Sequence, residues 1–338
     1  MNIYDLTLNE LEEYFLSIGE KKYRATQVFD WLYEKRVSSF SDMSNLSKEI
    51  IDGLEKDFSL DRPVIVKEEC DEGVSKYLFK LSDNEYIESV LMWHNYGLSL
   101  CISSQVGCNM GCSFCESGKR RKVRNLKASE MLLQIILVSE KIKKRISHIV
   151  IMGIGEPFDN FSNLVVFIEN CTNHLGLNIG SRHITVSTCG IVPKIYEFAD
   201  LKYQVNLAIS LHAAYDELRD RLMPINKVYP LDEVIKAVKY YISKTNRRVT
   251  FEYIMLRGVN DSSDDALKLA SLVKGLNAYI NLIPYNEGSS DLYKRTKKEQ
   301  IMKFYDIIKK EGVNVTIRRE FGSKISAACG QLRSKKEE

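Results

Sequence analysis

Three cysteines fall within eight residues, Cys108-Asn109-Met110-Gly111-Cys112-Ser113-Phe114-Cys115, a C-x3-C-x2-C spacing. Thiolates this close along a loop can converge on one metal centre, and only three are supplied locally. A structural zinc site wants four protein ligands, whereas a 4Fe–4S cluster held by three cysteines leaves one iron open to a small molecule. Both readings stand at this point, the zinc reading needing His94 or His148 as its fourth ligand. A blander reading is that the three side chains simply pack. The other cysteines, Cys70, Cys101, Cys171, Cys189 and Cys329, are isolated, and an isolated cysteine is ordinarily a small buried hydrophobe.

Composition narrows the setting. The chain has 338 residues, 44% of them hydrophobic and 28% charged, which excludes a disordered or fibrous protein and suits one large α/β unit plus a smaller one. With 48 Lys and Arg against 45 Asp and Glu, the net charge of +3 does not by itself call for a polyanionic partner, so any basic patch must be local. The start, MNIYDLTLNELEEYF, carries acids where a secretory signal carries bases and an apolar run, and no stretch approaches the ~18 apolar residues of a membrane span. A cytoplasmic protein is expected. In that reducing setting a structural disulfide framework is not, so clustered cysteines become metal or catalytic candidates.

The elements that must hold these residues follow from periodicity. Leu8, Leu11, Tyr14 and Phe15, then Val28, Trp31 and Leu32, then Ile50, Ile51 and Leu54 recur at helical spacing. Residues 63–69, 75–81 and 86–92 are short β-branched or alternating runs separated by polar turns, and predict a small antiparallel sheet. From about residue 97, apolar runs at 98–102, 148–152, 183–187, 204–210, 249–256, 279–284 and 313–317 alternate with helical patterns near 127–143, 161–173, 191–199, 231–243, 263–273 and 297–311. Such alternation predicts an α/β fold of parallel strands and crossover helices, as an open sheet or a full or partial barrel, with function at the carboxyl ends of the strands.

C-x3-C-x2-C with an aromatic just before the third cysteine, on the loop after the first strand of a β/α domain, resembles the radical S-adenosylmethionine superfamily. Further motifs are closer still: Cys101 to Cys108 (CISSQVGC), Met152 to Pro157 (MGIGEP), Ser210-Leu211-His212, Met223 to Asn226 (MPIN), Gly258 to Asp261 (GVND) and Ala327 to Leu332 (AACGQL). Together with Tyr23-Arg24-Ala25 and Phe40 to Met43 they resemble the RlmN/Cfr family of RNA adenine methyltransferases over nearly the whole chain. The resemblance implies a partial parallel (β/α)6-type barrel. It divides the chain into an RNA-binding accessory domain at 1–95, helical and antiparallel β, a radical core at 96–330 and a tail at 331–338.

The same resemblance implies methylation of an adenine ring carbon, C2 or C8, with S-adenosylmethionine as cosubstrate and a 4Fe–4S cluster on Cys108, Cys112 and Cys115. It assigns the cosubstrate to Gly155, Glu156, Ser187, Ser210, Leu211, His212 and Asn286. Cys329 matches the cysteine that first accepts the methyl group; Cys101 matches the thiol that forms a transient disulfide with it to release product; Glu88 matches the proton acceptor. Glu156-Pro157 resembles the C2 branch, which acts on 23S rRNA and in close relatives on tRNA; a C8 methyltransferase, a paralogue acting on another RNA and a non-catalytic iron–sulfur RNA-binding protein are the alternatives. A monomer reduced by a flavodoxin or ferredoxin is expected. One stretch departs from the family pattern: Glu116 to Lys127 (ESGKRRKVRNLK) has Glu116 and Ser117 in place of a small residue and threonine, and its six cations against one acid predict a patch for phosphates beside the site.

Overall fold

A computed structural model describes residues 1–287, 292–318, 325, 327 and 330–332. The amino-terminal helices form where the periodicity predicts them. α1 (Leu8–Ser17) opens with a capping box in which Thr7 and Glu10 satisfy each other's backbone N–H, followed by α2 (Tyr23–Phe29) and by α3 (Lys48–Asp57), capped by Ser47. Their apolar stripe, Leu11, Phe15, Val28, Leu32, Ile50 and Leu54, is buried. The segment ahead of α1 is pinned elsewhere: the Asp5 carboxylate accepts the Ser129 N–H at the start of α4 (Ala128–Ile142), and Asn170 donates to the Leu6 carbonyl from α5 (Phe161–Thr172).

Among the described residues twelve strands are present. β1 (Val64–Asp71), β2 (Val74–Lys80), β3 (Tyr86–His94) and β4 (Gly97–Ile102) run antiparallel; β5 (Gln105–Val106) and β6 (Arg124–Asn125) make a separate ribbon. Then β7 (His148–Ile151), β8 (Ile184–Thr188), β9 (Asn206–Ser210), β10 (Val249–Met255), β11 (Ala278–Pro284) and β12 (Val315–Ile317) follow in parallel with β4, in simple chain order. The crossovers are α4, α5, α6 (Val192–Ala199), α7 (Asp216–Leu222) with α8 (Leu231–Thr245), α9 (Ser263–Val273) and α10 (Lys298–Lys310). Every predicted apolar run of the second part thus falls on a strand, each next to its neighbour in sequence, which is the arrangement that right-handed crossovers produce.

The sheet does not close, since β1 and β12 lie at opposite ends of one ten-stranded order. The antiparallel strands also differ from the expectation of a small sheet of their own. β4 pairs antiparallel with β3 on one side and parallel with β7 on the other, so the two parts share every ladder hydrogen bond across that seam. Strand periodicity is the same whichever neighbour a strand takes, which is why the sequence separates what the fold joins. Gln331 and Leu332, assigned by sequence to a tail, are buried.

Candidate active site

At the carboxyl ends of the parallel strands lies a cavity of about 150 Å3. Its walls include Ile151 at the end of β7, Ser187 of β8, Ser210 of β9, Ile254 of β10 and Ile283 of β11, and Cys108, Cys112 and Cys115 close it from the loop after β5. Desolvation pushes the Cys108 thiol up to about 12, with Glu156 and Cys115 nearby adding to it, and pushes Cys112 well above the ordinary thiol range, helped by the two neighbouring sulfurs. Crowded, poorly solvated thiols of this kind ionise only against a positive centre, so the donor set suits a metal cluster.

The histidines proposed as a fourth zinc ligand lie elsewhere. His148 begins β7, at the opposite end of the strand from the cavity, with its ring 4.3 Å from that of His183. His94 ends β3 and stacks on Tyr96 at 4.6 Å. Neither lines the cavity, so the Cys3His reading does not hold.

The loop after β7 is shaped around Glu156. Its two carboxylate oxygens accept the Phe158 N–H at 3.0 Å and the Cys189 N–H at 2.8 Å, while its own N–H donates to the Gln105 side chain at 2.8 Å. Burial raises its pKa and these hydrogen bonds oppose the rise. Gly155 is required here: its φ is +107°, and a Cβ would sit 2.5 Å from Cβ of Gln105. Gln105, buried completely, also donates to Asn125 and Asp159 and so ties the cysteine loop to the Glu156 loop.

His212 follows β9 in a left-handed conformation, φ +58°, with Nδ1 accepting the Ile254 N–H at 3.1 Å. That bond leaves the proton on Nε2. Burial, with the Arg219 charge second, lowers its pKa to about 3, so the ring is neutral. Phe114 meets it edge-on at 4.8 Å, and both rings line the cavity. Leu211 contributes backbone: its carbonyl accepts from Arg219 while its side chain is in the core. Asn286 is outside the cavity wall; its Oδ1 is buried without a hydrogen-bond partner among the described residues, an acceptor that a ligand's N–H or O–H would satisfy.

Glu88 and Cys101 occupy the inner face of the antiparallel part. Cys101 pairs across from Val90, and Glu88 is two residues before Val90 on the same face of β3. That face also packs Ile154, Ala327 and Leu332. Cys101 is a free thiol, and the Glu88 carboxylate lies 3.5 Å from Lys76 Nζ, both side chains buried. Cys329 lies outside the described residues. Next to it in sequence, Gly330 lines the cavity and its carbonyl accepts the Glu116 N–H at 2.8 Å; Ser117 Oγ donates to the Leu332 carbonyl at 2.8 Å. The departing Glu116-Ser117 pair therefore holds Gly330 and Leu332 against the cysteine loop.

Several residues of the site carried no local signal. Arg219 is fully buried and donates to the carbonyls of Cys189, Ser210 and Leu211 and to Asn226 Oδ1, bracing the ends of β8 and β9. This gives the MPIN motif its role, since Asn226 in turn donates to Asp216 and Asp220. Asn260 of GVND, also buried, donates to the His212 carbonyl. Of the isolated cysteines, Cys171 is core, Cys189 is cavity wall, and Cys70 is exposed on the edge strand β1.

Residues 102–270 match the Radical SAM superfamily, and residues 1–60 match the ribosomal RNA large subunit methyltransferase N-terminal domain. A probable dual-specificity RNA methyltransferase RlmN of Enterococcus faecalis is 54% identical over 99% of this chain and 96% of its own length. The chain belongs to the RlmN family of radical S-adenosylmethionine RNA methyltransferases. The Geobacillus kaustophilus protein of the same description is 52% identical over 99% of the chain and 93% of its own. A crystal structure of a radical SAM methyltransferase from Sphaerobacter thermophilus superposes with a TM-score of 0.94 at 41% identity, covering 99% of this chain and all of that one. The sequence-level resemblance and the α/β fold are thus those of the family.

Proposed function

We propose that this RNA methyltransferase places a methyl group on C2 of an adenine in 23S rRNA and in tRNA, using S-adenosylmethionine and a 4Fe–4S cluster. The observation that carries the reading is the shared cavity: Cys108, Cys112, Cys115, Gly155, Glu156, Ser187, Ser210 and His212 all line it, with Gly330 beside them. The cysteines would hold the cluster, and the strand-end residues and Asn286 the cosubstrate. When bound, that pair supplies a methyl group and, after one-electron reduction by a flavodoxin or ferredoxin, a carbon-centred radical able to modify a ring carbon that is too weak a nucleophile for direct displacement.

The chain's own residues act around that chemistry. Cys329 offers a sulfur nucleophile for the methyl group, and Cys101 a second thiol whose disulfide with Cys329 frees the RNA. Glu88 takes the C2 proton, its carboxylate held by Lys76 until substrate enters. Neutral His212, its Nδ1 committed to Ile254, offers an N–H donor to the cosubstrate. We assign residues 1–95 to RNA docking and 96–330 to the catalytic unit of a cytoplasmic monomer. Among the described residues no helix is long and apolar enough to cross a membrane.

Anaerobic reconstitution tests the site: about four irons per chain and a broad visible absorption are expected. Replacing Cys108, Cys112 and Cys115 by Ala should abolish both. Stoichiometric zinc without iron would contradict the reading.

A further inference from the structure

Below the catalytic cavity, on the same concave face of the parallel strands, is a second cavity of about 720 Å3. The two share Met152, Glu252 and Arg318 and so are stacked along the strands. On β10, Thr250 lines the lower cavity and Ile254 the upper, roughly 13 Å apart at about 3.3 Å per residue. The lower mouth is basic: Arg182, Arg247, Arg248 and Arg318 line it, and Glu252 is the one carboxylate among the described lining residues. Arg182 and Arg248 are exposed, and among the described residues no carboxylate pairs with either. Arg247 donates to Asn206, yet its Nε is buried without a partner among the described residues.

Aromatic faces interleave with these cations. The Arg248 guanidinium lies 4.2 Å over the ring of Tyr279, itself in the wall. Tyr96, 66% exposed at the rim, stacks on His94 at 4.6 Å with 9° between the planes, meets His148 at 5.1 Å, and His148 continues to His183 at 4.3 Å. Guanidinium groups beside an exposed tyrosine ring, Tyr96, are what single-stranded nucleic acid needs: charge for phosphates and a π-surface for an unstacked base.

We propose that this lower mouth is a second RNA-binding site, which holds the phosphates and a stacked base of a single-stranded segment. RNA is the occupant favoured by the charge and by the family's RNA methyltransferase activity. A free anion would use the arginines but not the aromatic column.

The test uses the full chain and a fluorescent oligouridylate of about twelve nucleotides, read by anisotropy over a salt series. Because the probe holds no adenine, the result is independent of whether C2 is methylated, so failure of one reading is distinguishable from failure of the other. The double variant Arg182→Ala, Arg248→Ala should bind about tenfold more weakly, with the salt slope reduced by about 1.4 for two lost phosphate contacts. Tyr96→Ala should weaken binding severalfold with the slope unchanged, and being exposed it keeps the test open if the double variant misfolds. Wild-type affinity and slope in folded variants would overturn the proposal. So would displacement of the probe by inorganic pyrophosphate at concentrations matching the oligonucleotide, which would mark a free-anion site.

Discussion

His212 shows how a single residue is set by its surroundings. Its left-handed backbone and its Nδ1 bond to Ile254 both suit asparagine as well as histidine. Its folded pKa, lowered to about 3, lies below the unfolded value near 6.5, so the unfolded chain binds the extra proton first. Stability from this group is complete above pH 6.5 and is lost as pH falls toward 3, at roughly 1.4 kcal/mol per pH unit. Thermal unfolding at pH 7 and pH 5 should therefore show His212→Asn losing less stability on acidification than the parent. An equal loss in both proteins would remove His212 as the source. Covalent roles are tested at the same scale: Cys101→Ala should accumulate an RNA–protein adduct on a denaturing gel, and Cys329→Ala should give neither adduct nor product. Normal turnover by Cys101→Ala would refute the pairing. The three clustered cysteines were legible because their spacing is local; Arg219 and Gln105 were not, since their partners come from as far as 54 residues away.

Among the elements, the strands were legible and their company was not. Seven apolar runs read as strands because each is short, rich in β-branched residues and followed by a helical pattern. The continuity of β3 and β4 with β7 depends on which edges meet, and no residue in those strands encodes it. The loops at the strand ends carry the sharper predictions. Gly155→Ala forces a Cβ to 2.5 Å from Gln105 at φ +107°, so it should shift the Glu156 loop and weaken S-adenosylmethionine binding at least about tenfold by equilibrium dialysis, with the iron content unchanged. Binding at parental strength would show that this loop does not contact the cosubstrate. Arg219→Leu removes the guanidinium donor from the Cys189, Ser210 and Leu211 carbonyls and the Asn226 oxygen, the Leu211 carbonyl keeping the Ala213 N–H, and urea unfolding should register a loss of at least about 3 kcal/mol. A loss under about 1 kcal/mol would mean that water replaces the guanidinium.

Over the whole molecule, charge is the property that sequence misjudged. Of the six cations between Glu116 and Lys127, four are held by acids: Lys119 by Glu116, Arg120 by Glu85, Lys122 by Asp159, and Arg124 by Asp83 and Glu130. All but Glu116 lie outside that stretch, so a local count could not reveal them. The loop is accordingly a clasp between the antiparallel strands, the Glu156 loop and the residues Gly330 and Leu332 more than an open phosphate patch. The arginines of the lower mouth, Arg182, Arg247, Arg248 and Arg318, are dispersed in sequence and assembled by the sheet. The central claim is that this fold delivers a methyl group to C2 of adenine. Its most direct measurement is chromatography with mass spectrometry of nucleosides from protein-free 23S rRNA and tRNA after incubation with the reconstituted enzyme, S-adenosylmethionine and a reductant. The account predicts 2-methyladenosine in both RNAs; 8-methyladenosine alone, or no methylated adenosine in either, would contradict it.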